Sequence, residues 1–110
     1  MDEENVDLEQ ISFQMILHAG NARSSAMQAI EQSHSGDFDA SQRSLDEAVE
    51  ELNIAHDSQT MLITRFAGGD QFGSNILLNH AQDHLTMATL TIDFAKEIVL
   101  LRKELGKEKI

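Results

Sequence analysis

The chain has 110 residues, with 8 basic and 19 acidic side chains and a formal net charge of −11. That length holds one domain, read here as residues 1–110. The charge argues against binding nucleic acid or anionic lipid, both of which need a cationic surface. The absence of cysteine excludes disulfides, thiolate metal sites and cysteine nucleophiles, and the absence of proline, with only six glycines, permits helix over most of the length.

Met1 to Gln10 carry five acids and no base, the reverse of a secretory n-region. The longest aliphatic run, Ile98-Val99-Leu100-Leu101, falls far short of a membrane span. A soluble, cytoplasmic protein is expected. Two breaker clusters, Ser33-His34-Ser35-Gly36-Asp37 and Ala67-Gly68-Gly69-Asp70-Gln71-Phe72-Gly73, leave three long segments near 7–33, 38–66 and 75–105. Each is long enough for a helix of roughly 40–45 Å. Short connections make neighbouring helices antiparallel, so the expected fold is all-α, an up-down-up three-helix bundle.

Apolar spacing of three and four supports all three helices. The first segment aligns Leu8, Ile11, Met15, Ala19, Ala22, Ala26 and Ala29. The second aligns Phe38, Leu45, Val49, Leu52, Gln59, Ile63 and Phe66, with Ala48, Ala55 and Leu62 alongside. The third aligns Ala81, Leu85, Ala88, Ile92, Ala95 and Val99, with Ser74 or Asn75 as the expected N-cap and Gly106 as the expected stop. This third segment has a second apolar stripe, Ile76, Met87, Leu90, Phe94, Ile98, Leu101 and Leu105. A three-helix monomer leaves one face of each helix wet, so a doubly apolar helix points to self-association. The first segment also has a second line, Phe13, Leu17, Gly20, Ser24 and Met27, whose small members allow close approach.

Charge is uneven. Residues 1–64 hold 13 acids against Arg23 and Arg43, whereas residues 65–110 hold six acids and six bases. The run Asp46, Glu47, Glu50 and Glu51 reads as a solvated face of the second helix, or as a surface steering basic partners.

Among the five histidines, His34 lies in the first connection, and His18 and His56 lie in helical segments where nothing local pairs them with a carboxylate. The run His80-Ala81-Gln82-Asp83-His84 differs. Positions i, i+3 and i+4 share a helix face, which sets two imidazoles and a carboxylate side by side. Imidazole can ligate metal, move protons or act as a nucleophile near neutral pH. The metal alternative, a hydrolase built on His80, Asp83 and His84, resembles an inverted zincin pattern with Asp in place of Glu but lacks a third clear ligand beyond the helix. A phosphohistidine carrier needs only an exposed imidazole and a second one nearby.

Four blocks decide the resemblance: Gly20-Asn21-Ala22-Arg23-Ser24, Gly36-Asp37-Phe38, Ala55-His56-Asp57-Ser58-Gln59-Thr60 and His80-Ala81-Gln82-Asp83-His84-Leu85. With these in order over nearly the whole chain, the protein resembles the enzyme IIA component of the lactose/cellobiose (N,N′-diacetylchitobiose) class of the bacterial sugar phosphotransferase system. The resemblance implies a homotrimer of three-helix bundles. It implies that His80 accepts a phosphoryl group from phospho-HPr, as tele-phosphohistidine, and passes it to a cysteine of enzyme IIB during uptake of a β-linked disaccharide through a membrane enzyme IIC. It implies that His84 supports His80. Asp83 would lie towards the trimer axis, where three copies hold one divalent cation, magnesium. Family members commonly continue the histidine block as Leu-Met-Thr; here the order is Leu85-Thr86-Met87.

Overall fold

The computed structural model describes residues 3–71 and 75–107. Three helices, α1 (Glu3–His34), α2 (Phe38–Ala67) and α3 (Ile76–Lys107), run up, down and up in a rod 64 Å long and about 20 Å across. No strand occurs among the described residues. α1 packs heavily on both neighbours, and α2 and α3 touch each other far less.

The packing surface is built from small side chains. Ala22, Ala26 and Ala29 of α1, Ala48 and Ala55 of α2, and Ala81, Ala88 and Ala95 of α3 are completely buried. Met15 and Ile92 are the large fully buried side chains. Serines complete the seam without leaving orphaned polar atoms: Ser41 Oγ donates to the Ala29 carbonyl at 2.8 Å and Ser44 Oγ to Gln32 Oε1 at 2.7 Å. At the far end, Arg102 Nη1 donates to the Ile30 carbonyl and to Ser33 Oγ at 2.7 and 2.8 Å, fixing a cation of α3 on the negative end of α1.

Both connections use the same device. Gly36, at φ +82°, follows α1, with Asp37 N–H bonded to the Gln32 carbonyl and Gly36 N–H to the Ser33 carbonyl. Gly69, at φ +109°, follows α2, with Asp70 N–H on Arg65 and Gly69 N–H on Phe66. These are Schellman endings, which favour glycine at the left-handed position. Asp37 then caps α2 by accepting from Ala40 N–H, and Asn75 Oδ1 caps α3 by accepting from Leu78 N–H. Ser74, the other expected cap, lies outside the described residues.

Several expectations are corrected. α1 continues through His34, so the first connection is shorter than its breaker cluster. α3 continues through Gly106 to Lys107, so Gly106 does not stop it. Ile63 and Phe66 are exposed at 59% and 65%. The α2 core line runs instead through Ser41, Ala48, Ala55 and Leu62, because α2 turns its small-residue face to α1.

The alanine seam leaves no room for larger groups. Ala22→Leu should lower stability by about 1–3 kcal/mol through overpacking, read as a shifted urea midpoint. An unshifted midpoint would show that α1 does not sit between its neighbours as described.

Candidate functional site

Helical spacing puts His80 and His84 one turn apart near the start of α3. The backbone beneath them is held by Ala81, Leu85 and Ala88, all buried on the inner face. His80 is exposed and His84 half-buried. Their rings meet edge to face, with centroids 4.4 Å apart and planes at 86°, and the two Nε2 atoms lie 3.0 Å apart. A contact of that length between two nitrogens holds one proton: one ring donates and the other presents its lone pair. The arrangement supplies an exposed nitrogen nucleophile beside an N–H donor.

Asp83 is exposed on α3, and its carboxylate has no partner among the described residues. The expected trio of His80, Asp83 and His84 is therefore only a pair of imidazoles. No group of three histidine, aspartate or glutamate side chains converges as a metal site among the described residues. A metal-dependent hydrolase site would draw on such a ligand set, and this chain does not assemble one among the described residues. Asp83 instead falls on the line of Met87, Leu90 and Phe94, at spacings of four, three and four along the outer face of α3.

His18, which has no local carboxylate, finds a distant one. Its Nδ1 lies 2.6 Å from Glu51 Oε2, across the α1–α2 contact, and its Nε2 is 3.1 Å from Gln14 Oε1. Their separation in sequence hid the pair. Gln59, expected as part of an apolar stripe, donates from Nε2 to Gln82 Oε1 at 2.7 Å and joins α2 to the histidine block of α3. Asp46, Glu47 and Glu50 form the solvated face expected of them. No helix among the described residues is long and apolar enough to cross a membrane.

Residues 10–103 match the family model described as the lactose/cellobiose-specific IIA subunit of the PTS system. The chain belongs to that enzyme IIA family. The lichenan-specific phosphotransferase enzyme IIA component of Bacillus subtilis (strain 168) is 46% identical over 105 residues, covering 96% of each chain. The crystal structure of the PTS cellobiose-specific enzyme IIA from Bacillus anthracis superposes with a TM-score of 0.89 at 39% identity, over 97% of this chain and 94% of that one. The chitobiose-specific IIA of Escherichia coli, solved in solution in complex with HPr, matches with a TM-score of 0.77 at 33% identity, over 96% and 99%. Enzyme IIA components are phosphoryl carriers of the phosphotransferase system, and the imidazole pair is chemistry suited to that work.

In spectra of the protein with both rings neutral, the single bridging proton should be visible. Nitrogen-15 spectra should then show one of the two rings protonated at Nε2 and the other at Nδ1. Two rings both protonated at Nε2 would contradict the contact.

Proposed function

We propose that this enzyme IIA takes a phosphoryl group from phospho-HPr on Nε2 of His80 and delivers it to the cysteine of an enzyme IIB that works with a membrane enzyme IIC on a β-linked disaccharide. The observation that carries the reading is the exposed His80 ring held against His84 Nε2. For His80 to attack, its Nε2 must be bare, so His84 holds the bridging proton. The lone pair of His80 Nε2 forms the new P–N bond, and the bond from phosphorus to the donor breaks with its electrons left on the donor. His84 Nε2–H is then free to donate to a phosphoryl oxygen, which spreads the charge. In the second transfer a cysteine thiolate attacks phosphorus and the imidazole leaves with the P–N electrons. The lichenan, cellobiose and chitobiose names of its relatives support a β-linked sugar. The HPr complex of the chitobiose relative supports the donor.

His80→Ala should abolish phosphoryl gain from phospho-HPr while leaving helicity unchanged, as read by intact mass and circular dichroism. A variant that still gains one phosphate at the normal rate would refute the assignment.

The functional unit in this proposal is a homotrimer. A single chain leaves Ile76, Met87, Leu90, Phe94, Leu101 and Leu105 of α3 exposed at 44–89%, and Phe13, Leu17 and Met27 of α1 exposed as well. An apolar surface of that extent at coiled-coil spacing calls for burial against other copies. Asp83 is the acidic member of the line, and threefold packing along it would bring three carboxylates together. Like charges that close repel, and unpaired burial is costly. A hard divalent cation such as magnesium fits an all-oxygen donor set of this kind, with waters retained. Its contribution would be to hold the three chains together.

The protein should sediment near three times 12.2 kDa. EDTA should lower its melting temperature, and Asp83→Leu should give a trimer at least as stable and indifferent to EDTA. A monomer at micromolar concentration would refute the assembly, and a chelator without effect on either protein would refute the ion.

A further inference from the structure

Gln59 and Gln82 are held together by a 2.7 Å hydrogen bond at the sparsest contact of the bundle. α2 and α3 each pack on α1, and the space between them opens into shallow grooves of about 250 Å³ on either side of this bond. One groove is walled by Leu62, Ile63, Phe66 and Leu78, the other by His56, Leu85, Thr86 and Thr89. Apolar contact with α2 therefore adds little to the hold that α1 has on α3 at this level, whereas a directional bond to α2 fixes the rotation more finely. Gln82 lies between His80 and His84 in sequence and on the opposite side of the helix, so turning Gln82 turns both rings. With an outer helix radius of roughly 5–6 Å, a turn of about 20° would carry an imidazole tip about 2 Å.

We infer that Gln59 is a positioning residue for phosphoryl transfer: through Gln82 it sets the rotation of α3, and so the direction in which His80 Nε2 meets the incoming phosphorus. This rests on the phosphocarrier reading. In-line transfer is sensitive to misplacement on the ångström scale, with losses up to about a hundredfold per ångström. The bond itself is chemically simple to test, because an amide can donate or accept. A carboxylate at position 59 would still be bonded once the Gln82 amide turned its NH₂ towards it.

Single-turnover transfer from phospho-HPr should be measured for wild type, Gln59→Leu, Gln59→Glu and the double variant Gln59→Leu/Gln82→Leu, with melting curves for each. Gln59→Leu should be about tenfold slower at saturating donor with unchanged half-saturation, Gln59→Glu within about twofold of wild type, and the double variant no slower than Gln59→Leu. The imidazole nitrogen resonances of His80 and His84, recorded without phosphate, should move in Gln59→Leu and not in Gln59→Glu. If Gln59→Leu does not fold, Gln82→Leu removes the same bond from the other side. A wild-type rate with unmoved imidazole resonances in Gln59→Leu, or equal slowing in Gln59→Leu and Gln59→Glu, would overturn the inference. A wild-type protein that takes up no phosphate would overturn the phosphocarrier reading instead, and the resonances would still test the coupling between Gln59 and the rings.

Discussion

Close approach of helices along an alanine seam governs this molecule. Ala22, Ala26 and Ala29 let α1 lie deep between α2 and α3, and Ala48, Ala55, Ala81, Ala88 and Ala95 answer from the two partners. Small side chains contribute little burial individually, so the seam must be long; helices of 30 and 32 residues without proline supply that length. Because α1 takes up the inner faces of both partners, α2 and α3 are left with a thin contact. The outer face of α3 then keeps its aliphatic and aromatic side chains in solvent.

α3 consequently has three tasks around its circumference. Its inner stripe from Ala81 to Val99 closes the core. Its outer line of Met87, Leu90, Phe94, Leu101 and Leu105 is exposed in the single chain. His80 and His84 stand on it one turn apart, where a rigid buried backbone supports an accessible pair of rings. A side chain on a helix held this way keeps its direction better than one on a loop.

Most of this was legible in the sequence because it depends on short spacings. The six inner positions of α3 and six of the seven on α1 appear as buried residues where periodicity placed them, with Ile11 half-buried. The histidine pair follows from i and i+4. What periodicity missed depends on contacts between helices. The apolar stripe of α2 passes through Ile63 and Phe66, yet α2 is turned towards its serines and alanines, since those allow closer approach to α1. His18 finds Glu51, and Gln59 finds Gln82, across 33 and 23 residues of sequence. Gly106 carries a helix-stop signal, but no proline or second glycine stands beside it, and α3 continues one residue further, to Lys107. Asp83 looked like part of the imidazole group because i, i+3 and i+4 share a face; only the two rings meet, and Asp83 stands four residues before Met87 on the apolar line.

The central claim is that Nε2 of His80 is the atom that bears the phosphoryl group. The direct measurement is a long-range proton–nitrogen correlation spectrum of the nitrogen-15-labelled protein after incubation with phospho-HPr, with His80 resonances assigned. A phosphorus-coupled Nε2 on His80, and an unmodified His84 whose Nε2 still carries its proton, is the predicted result. A phosphorus coupling on His84, on Nδ1 of His80, or on no imidazole of the protein would contradict the account.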